Sequence, residues 1–379
     1  MKKILNIITR LNIGGATIHV VQLSDILKDK YESIIVAGKI ESHEQDMSYY
    51  ADKYNVKIKY LNKLSRELSF PADFFAFIEL FRLIRREKPD IVHTHTAKAG
   101  TLGRLAAFFA GVPVIIHTFH GNVFKGYFSP LKTAVFIAIE KILSLISTKI
   151  IAISDKQKQE LLSLNICKTK KIEVIKLGLD FDYFLPDLSH CNVFKRMFNI
   201  PDYAVTIGII GRITAIKNHK LFLSIAEKLL AINDNYYFCI VGDGDLKNDI
   251  LHEIDDKGLN DRIIITGFIT DLKPVYSDLD YVISTSINEG TPVALIEAMA
   301  CGKVVLSTNV GGVSDFINNK ENGFVIDSFE AQDFVSCIQD IENVKYNKEI
   351  ISQKAKSTIF DMFSLSRLRN EFSRLLEKI

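Results

Sequence analysis

The chain has 379 residues, of which 47% are hydrophobic and 24% are charged, and this is the composition of a globular protein rather than of a disordered or fibrous one. It is too long for one ordinary hydrophobic core, so we expect two domains. The net charge is +2, with +8 in residues 1–190 and −6 in residues 191–379. The basic first half indicates an anionic partner, unless the asymmetry is only drift in surface charge. Five scattered cysteines without a Cys-x-x-Cys pair indicate a reducing compartment and argue against a disulfide framework or a zinc site.

Short β-rich runs alternate with helical patterns along the whole chain. The first run resembles a signal peptide, but its apolar stretch is short and ends at Arg10, so we expect a buried strand. In the first half, strands are predicted at 4–9, 33–37, 57–61, 91–95, 114–118, 150–153 and 173–176. In the second half they are predicted at 205–211, 236–242, 262–267, 281–285, 304–308 and 323–326. Helical patterns such as 74–87 and 222–231 separate most of them, which predicts an α/β protein with two doubly wound parallel sheets.

The first loop that could bind a ligand contains a double glycine. Gly14 and Gly15 follow the first predicted strand and open a helix, so the backbone could approach a ligand closely there. The run lacks the Gly-x-Gly-x-x-Gly pattern of a dinucleotide site, and a simple turn is the alternative.

Histidines end the predicted strands 91–95 and 114–118. His120 follows the second of these strands, where it either contacts a substrate hydroxyl or has a structural role. His93 and His95 alternate on the first strand, so their side chains share a face. Because no third ligand accompanies them in the sequence, no metal site is predicted.

A basic pair follows strand 205–211. Gly211 and Arg212 close this strand, and Lys217 precedes Asn218, a candidate N-cap of the next helix. A guanidinium and an ammonium at one strand–helix junction suit a diphosphate. The alternative is two solvated loop charges.

Two glutamates flank the start of another predicted helix. Glu289 lies on the loop after strand 281–285, and Glu297 lies inside the following apolar helix, for which Thr291 is the predicted cap, Pro292 the first residue and Gly302 the terminator. In an open α/β sheet ligands bind at this edge, and helix N-termini bind phosphate or polar sugars. A carboxylate among apolar side chains needs a donor, either a ligand hydroxyl or a nearby Lys or Arg.

Two Asp-x-Asp pairs, Asp243 with Asp245 and Asp180 with Asp182, could in principle bind a metal. The first pair follows a strand as an Asp-Gly turn, so we predict no metal there.

Taken in order, these motifs resemble the retaining GT-B glycosyltransferases of family 4, of the bacterial surface-polysaccharide type. The resemblance covers nearly the whole chain and rests on these pieces: Gly14-Gly15, residues 93–100, His120-Gly121, Gly211-Arg212, Lys217-Asn218, residues 241–244 and the Glu289–Glu297 block. It implies two Rossmann-like doubly wound domains facing across a cleft, at 1–185 on the acceptor side and 191–362 on the nucleotide-sugar side. It also implies a C-terminal helix, 363–379, that crosses back to the first domain.

The resemblance also implies roles for individual residues. Arg212 and Lys217 would hold the donor diphosphate, and Glu297 would bind the ribose hydroxyls. Glu289 and His120 would contact the transferred sugar, His120 near the anomeric centre. Further donor contacts would come from Gly14, Gly15, Gly211, Asn218, Gly242, Phe268, Ile269, Gly290, Thr291 and Pro292. Phe268 and Ile269 belong to the expected base pocket.

The chain departs from the family pattern at two places. Thr17 stands where an acidic residue is frequent, and residues 177–180 read Leu-Gly-Leu-Asp instead of Asn-Gly-Val/Ile-Asp. Both departures affect substrate detail and leave the expected diphosphate site intact.

The expected reaction moves a sugar, with retention, from a nucleotide-diphosphate sugar, most simply a UDP-sugar, to a glycan or polyprenyl-linked glycan. We expect a metal-independent hexosyltransferase without a cofactor and without a nucleic-acid partner. A sugar-nucleotide epimerase of related fold is the alternative. A nicotinamide-dependent dehydrogenase and a non-catalytic subunit fit the motifs less well.

An aromatic, basic and apolar stretch at residues 124–146 suggests a cytoplasmic protein peripheral to the inner membrane leaflet. A core helix with surface lysines is the alternative reading of this stretch.

Overall fold

The computed structural model describes residues 1–40, 45–65, 67, 69–121, 129–184 and 191–379. The chain divides into two compact units: unit 1 comprises Met1–Asp180 with Phe363–Ile379, and unit 2 comprises Phe181–Met362. The predicted first domain ends at residue 185 and the predicted second domain begins at residue 191. Residues 185–190 are outside the described part of the chain. Of the stretch 124–146, residues 124–128 are also outside it.

Unit 1 is built on a seven-stranded sheet in the order β3-β2-β1-β4-β5-β6-β7, and all its neighbouring strands are parallel. The strands are β1 (Lys2–Arg10), β2 (Tyr31–Gly38), β3 (Lys57–Leu61), β4 (Ile91–His95), β5 (Val114–Phe119), β6 (Lys149–Ala152) and β7 (Ile172–Val174). The helices are α1 (Gly15–Leu27), α2 (Ser48–Lys53), α3 (Phe70–Glu87), α4 (Ala97–Phe109), α5 (Pro130–Ile146) and α6 (Asp155–Ser163).

Unit 2 is built on a six-stranded parallel sheet in the order β10-β9-β8-β11-β12-β13. The strands are β8 (Val205–Ile210), β9 (Tyr236–Val241), β10 (Ile263–Gly267), β11 (Tyr281–Ser284), β12 (Val304–Thr308) and β13 (Phe324–Ile326). The helices are α7 (Val193–Met197), α8 (His219–Leu230), α9 (Lys247–Asp256), α10 (Lys273–Asp278), α11 (Val293–Ala300), α12 (Ala331–Glu342) and α13 (Lys348–Phe363), whose last residue belongs to unit 1.

All thirteen predicted strands coincide with observed strands, and the prediction of an α/β fold with two doubly wound sheets is confirmed. The reason is visible in β4, where all five residues are buried, as expected of a parallel strand covered by helices on both faces.

The last helix, α14 (Leu365–Glu377), packs on α1 of unit 1. Ser364 caps it by accepting a hydrogen bond from the backbone N–H of Arg367. Gly178 allows α14 to lie close to the backbone at this residue, because a Cβ atom on Gly178 would lie 2.7 Å from Leu368 Cδ2. The departure from the family pattern at residues 177–180 therefore coincides with the docking site of this helix.

Candidate active site

The site in unit 2 begins where two neighbouring strands, β8 and β11, end at the carboxyl edge of the sheet. The loops that follow them are joined by hydrogen bonds. Ile287 N donates to Ile216 O over 2.8 Å. The hydroxyl of Thr285 donates to Lys217 O and Asn218 O, over 2.9 and 3.0 Å. These hydrogen bonds hold the loop that carries Lys217 and the loop that carries Glu289 together.

Lys217 and Glu289 form an ion pair across these loops. Lys217 Nζ lies 2.5 Å from Glu289 Oε1, and the two side chains are 24% and 12% exposed. Ser286 Oγ donates to the same carboxylate oxygen over 2.6 Å. The structure thus brings together two of the predicted site residues that lie 72 positions apart.

Glycines let the backbones of this edge approach each other. A Cβ atom on Gly242 would lie 2.0 Å from Gly211 O, and both glycines have positive φ, 151° and 147°. Any side chain at Gly242 would push these two loops apart. Gly211 and Gly242, which were predicted to bind the donor, are therefore also needed for the close packing of these two loops.

Arg212 and Asn218 flank this junction. The Arg212 side chain is exposed next to Gly211. Asn218 occupies the N-cap position of α8 in a left-handed conformation, and its side chain makes no capping hydrogen bond. The prediction of Asn218 as the N-cap residue is confirmed, but its side chain does not cap, because the left-handed backbone differs from the extended one in which such a side chain reaches the helix.

Glu297 is buried in α11, with 7% of the residue exposed. Its donor is the hydroxyl of Tyr276, which lies 2.7 Å from Glu297 Oε2, and not the Lys or Arg that was one of the two alternatives. Burial raises the pKa of Glu297 to about 7, and the Tyr276 hydrogen bond opposes this shift. Tyr276 lies on α10, and no pattern in the sequence points to it.

The start of α11 also differs from the sequence-based prediction. Pro292 is the N-cap residue and Thr291 does not cap. Thr291 Oγ1 is buried without a hydrogen-bond partner among the described residues, so it is an unsatisfied polar atom beside Gly290. The predicted terminator, Gly302, does follow the helix with φ 73°.

Gly311 supports the loop that carries Glu289. A Cβ atom there would lie 1.9 Å from Glu289 O, and the residue has φ 56°. Gly312 N donates to Gly290 O over 2.8 Å. Sequence reasoning missed this support, although the doublet Gly311-Gly312 after strand 304–308 was an available signal.

Phe268 and Ile269 follow β10 at the same edge of the sheet. Phe268 is 37% exposed and Ile269 is partly buried. An isolated bridge joins Gly242 to Gly267, the residue before Phe268. An apolar surface therefore lies next to the polar loops of β8 and β9.

The nearby Asp243 is already engaged. It accepts a hydrogen bond from Gly244 N at 2.8 Å and pairs with Lys247 Nζ at 3.1 Å. Asp180, in unit 1, accepts a hydrogen bond from Tyr54 at 2.8 Å. The described residues contain no group of three His, Cys, Asp or Glu side chains arranged to hold a metal ion.

In unit 1 the double glycine lies where it was predicted, between β1 and α1. Gly14 is the N-cap residue with φ 154° and has open space at its Cβ position, and Gly15 is the first helical residue. The Thr17 hydroxyl donates to Asn12 O over 2.6 Å, so the residue that departs from the family pattern holds the turn.

A cluster of histidines lies at the carboxyl ends of β4 and β5 in unit 1, where His19, His93 and His95 are buried and His120 is partly buried. His95 Nδ1 and His120 Nε2 are 2.9 Å apart and share a hydrogen bond. The rings of His93 and His95 are 4.0 Å apart, as their common face predicted, and His19 contacts His120 with ring centroids 5.2 Å apart. His95 Nε2 and His120 Nδ1 are buried without a partner among the described residues. Sequence reasoning missed His19, which lies on a separate helix, and the direct contact of His95 with His120.

These rings favour the neutral form. Burial lowers the pKa of His120 to about 4 and the pKa of His93 to about 3. The pKa values of His19 and His95 are lowered by burial and, secondarily, by the neighbouring histidines. A neutral His120 presents Nδ1 either as a donor or as an acceptor for a hydroxyl, depending on its tautomer.

Comparisons with known proteins show the family of the chain. The model of the Glycosyltransferase Family 4 domain matches residues 13–183, and the model of Glycosyl transferases group 1 matches residues 193–358. The chain belongs to the family 4 glycosyltransferases. The glycosyltransferase is 28% identical, over 82% of its length and 81% of the relative's, to the Escherichia coli UDP-Gal:alpha-D-GlcNAc-diphosphoundecaprenol alpha-1,3-galactosyltransferase. It is 27% identical to the capsular polysaccharide biosynthesis glycosyltransferase CapM of Staphylococcus aureus, over 82% and 83% of the two chains.

Solved structures show the same fold. Anabaena HepE, in complex with UDP and glucose, matches the glycosyltransferase over 100% of both chains with a TM-score of 0.86 and 18% identity. Sucrose-phosphate synthase from Thermosynechococcus elongatus matches with a TM-score of 0.84 and 18% identity, over 100% and 99% of the two chains. The two Rossmann-like parallel sheets of the glycosyltransferase therefore form a GT-B fold, as the sequence predicted.

Proposed function

We propose that this glycosyltransferase transfers a hexose from a UDP-sugar to a glycan or polyprenyl-linked glycan and retains the anomeric configuration. The observation that carries the proposal is the Lys217–Glu289 ion pair beside Gly211 and Arg212 at the carboxyl edge of the sheet. It puts a cation for phosphate and a carboxylate for sugar hydroxyls at one place. Both groups are needed by a donor that joins a diphosphate to a sugar.

The diphosphate is the anion that the basic residues suit. Departure of the nucleotide leaves negative charge on the β-phosphate, and fixed cations stabilise this charge in the transition state. The Lys217 ammonium is held in place by Glu289 before the donor arrives, so little reorganisation is required. Arg212 adds a planar guanidinium that can bind two phosphate oxygens at once.

The nucleoside and the sugar would be bound by the remaining carboxylates. Glu297 is held by Tyr276 and can accept hydrogen bonds from ribose hydroxyls in its ionised form. The exposed Phe268 offers an aromatic face to a base. The relatives support uridine, since HepE is bound to UDP and the Escherichia coli relative is named for UDP-Gal.

His120 is proposed to contact the donor sugar, as the family resemblance implies, and Gly14 and Gly15 the diphosphate. The unpartnered His120 Nδ1 atom supports the first role, because a buried ring nitrogen without a partner is stabilised by a ligand hydroxyl.

The acceptor is proposed from the relatives. The Escherichia coli relative is named for a diphosphoundecaprenol-linked sugar, and CapM for capsular polysaccharide biosynthesis. A lipid-linked acceptor would be presented at the cytoplasmic face of the membrane, so we propose a cytoplasmic enzyme that works at this surface.

We propose that neither a metal nor a cofactor takes part. The support is that Arg212 and Lys217 can supply the positive charge that a metal would bring to the diphosphate. Asp243, the first residue of the candidate metal pair, is already neutralised by Lys247.

The epimerase alternative is not favoured, because both matching family models and the reported relatives are glycosyltransferases.

A panel of nucleotide sugars tests the proposal. A UDP-sugar should raise the melting temperature at concentrations where the matched GDP- and ADP-sugars do not, because only a bound ligand stabilises the folded state. With the best donor and a polyprenyl-linked acceptor, NMR of the product should show the donor's anomeric configuration, and EDTA should leave the rate unchanged. An inverted product, or a rate abolished by EDTA and restored by a metal, would overturn the corresponding part of the proposal.

A further inference from the structure

Helix α5 of unit 1 has apolar side chains on its outer side as well as on its inner side, where Phe136 and Ile137 pack against a core cluster. Its fully buried residues are Glu140, Leu143 and Ser144, two of which are polar. Its exposed apolar residues include Leu131, Val135, Ala138, Ile142 and Leu145. Their spacing of four, three, four and three residues places them on one face. A surface helix of a globular protein normally has polar residues on the side that faces away from the core.

The exposure of this apolar stripe is large. Leu131 is 78% exposed, Val135 53%, Ile142 63% and Leu145 75%. The described part of the stretch 124–146 thus packs on the protein along one side and exposes apolar side chains as well as lysines on the other. No helix in the described ranges is both long enough and apolar enough to cross a membrane. The stripe is thus a surface feature.

A buried ion pair holds the helix in this orientation. Arg104 on α4 donates from one terminal nitrogen to both carboxylate oxygens of Glu140, over 2.8 and 2.7 Å. Arg104 Nε donates to Gly100 O over 2.7 Å. Because an unpaired buried charge is costly, rotation of α5 to bury its apolar stripe would break a contact that the fold needs.

The neighbouring helices extend the apolar surface. Helix α4 packs against both α3 and α5. The exposed large apolar residues of α3 and α4 are Phe70, Phe74, Phe75, Phe108 and Phe109. Scattered single apolar residues need no explanation, but this concentration on three adjoining helices indicates a surface that another apolar phase covers.

The charges of the same three helices have one sign at the surface. The exposed charged residues of α3, α4 and α5 are Arg82, Arg85, Arg86, Lys132 and Lys141, all of them basic. The acidic residues on these helices are engaged within the protein. Asp73 pairs with Lys98, Glu79 accepts from the backbone of Asn62 and Lys63, Glu87 pairs with Lys3 and Lys59, and Glu140 pairs with Arg104.

We propose that this three-helix face, formed by α3, α4 and α5, binds the surface of an anionic lipid bilayer, with the apolar stripe of α5 in the interfacial layer. Apolar side chains with basic flanks and no exposed acid are the combination that anionic membrane surfaces bind. This inference rests on the proposed function for one point only: binding to the bilayer would give the enzyme access to a lipid-linked acceptor.

A second copy of the chain is a poorer occupant. A two-fold symmetric contact brings the same surface of both copies together, so the exposed basic residues of α3 and α5 would meet their own counterparts. Anionic lipid headgroups neutralise these residues instead.

Flotation of the full-length protein with vesicles tests the inference. The wild type should float with vesicles of phosphatidylglycerol and phosphatidylcholine at low salt, and less with phosphatidylcholine alone. The variant Leu131→Gln/Ile142→Gln/Leu145→Gln should lose roughly tenfold or more of the partition coefficient. The variant Lys132→Glu/Lys141→Glu should lose a similar factor, and it should also lose the dependence on anionic lipid.

The matched control is Met197→Gln/Ile232→Gln/Val344→Gln in unit 2, where the side chains are 65%, 55% and 82% exposed. It removes a comparable apolar area elsewhere and should float like the wild type. UDP-sugar binding should be the same in all four proteins, so failure of the donor proposal remains separate. The inference is overturned if the wild type does not bind anionic vesicles, or if the variant with the α5 substitutions floats as well as the wild type. It is also overturned if the wild type is a dimer that the α5 substitutions make monomeric while vesicle binding is absent.

Discussion

Lys217 Nζ lies 2.5 Å from Glu289 Oε1, and Ser286 donates a further hydrogen bond to the same oxygen. The two residues come from loops after neighbouring parallel strands, β8 and β11. The contact fixes an ammonium at the edge where an α/β sheet binds anions, and it links phosphate recognition to sugar recognition.

Removal of the ammonium should affect turnover much more than folding. Lys217→Ala is expected to lower kcat roughly 10²–10³-fold, the usual effect of one preorganised group that stabilises developing charge. Lys220→Ala is the matched control, because that side chain is 75% exposed and lies on the adjoining helix. Steady-state kinetics with the best UDP-sugar measures both. Equal kcat values for the two variants would remove Lys217 from the catalytic machinery.

Gly311→Ala should displace the loop of Glu289, since the new Cβ atom would lie 1.9 Å from Glu289 O. Gly111→Ala controls for backbone strain, because Gly111 also has positive φ, 73°, but has open space around its Cβ position. The control should lose only about 1–2 kcal/mol of stability, the cost of the left-handed conformation. Gly311→Ala should lose more than this and should weaken donor binding, measured by urea unfolding and calorimetry. Unchanged donor affinity would contradict this account of the loop.

Ionisation of Glu297 should lower the free energy of unfolding of unit 2 as the pH rises. Its folded pKa of about 7 lies above its usual value of 4.5, so its stabilising contribution is complete below 4.5 and is lost as the pH rises through 7. The loss is about 3 kcal/mol for a shift of this size. Urea unfolding at several pH values should show that Glu297→Gln removes this slope. An unchanged slope would mean that Glu297 titrates normally in the folded state.

The same titration should appear in donor binding. Ribose hydroxyls donate to the ionised carboxylate, so the affinity for UDP should fall as the pH drops below about 7. Tyr276→Phe removes a hydrogen bond that favours ionisation and should move this fall to higher pH. Calorimetric UDP affinities between pH 5.5 and 8.5 give the comparison, and identical profiles for wild type and Tyr276→Phe would argue against Tyr276 as the residue that positions Glu297.

The histidine cluster should give unit 1 the opposite pH dependence. The folded pKa of His93 is about 3, below the usual 6.5, so its contribution is present above pH 6.5 and is lost as the pH falls. Between pH 7 and 5 this loss is about 2 kcal/mol for one such histidine. His93→Gln can keep the hydrogen bond to Thr118 and should reduce the acid sensitivity, whereas the exposed His252→Gln should not. Unfolding of unit 1 followed by hydrogen exchange at the two pH values decides between these outcomes.

Arg104 and Glu140 should be strongly coupled. Arg104→Met or Glu140→Leu alone leaves a buried charge without its partner and should cost roughly 3–5 kcal/mol. The double variant should recover much of this loss, because two apolar side chains replace both charges. Urea unfolding of the wild type, the two single variants and the double variant completes a double-mutant cycle. If the two single losses of unfolding free energy were strictly additive in the double variant, the buried pair would be contradicted.

The order of strands and helices, the two α/β domains, the location of Arg212, Lys217 and Glu289 on loops after strands and that of Glu297 in the following helix were all predictable from the sequence. Local patterns suffice for this, because a buried parallel strand such as β4 requires a continuous apolar run and a parallel sheet collects its carboxyl ends at one edge. Two details were not predictable: the Asn218 side chain makes no capping bond, and Pro292 instead of Thr291 is the N-cap residue of α11. Both depend on backbone conformations that the surrounding loops impose.

Side-chain partners were decided by the tertiary structure alone. Glu297 required a donor on the evidence of its apolar neighbours, but Tyr276 became that donor only through the packing of α10 on α11. Likewise, the apolar content of α5 was visible in the sequence, whereas its direction was not. The buried Arg104–Glu140 pair helps to fix which side of α5 faces the protein, and this long-range contact cannot be read from the pattern of α5 alone.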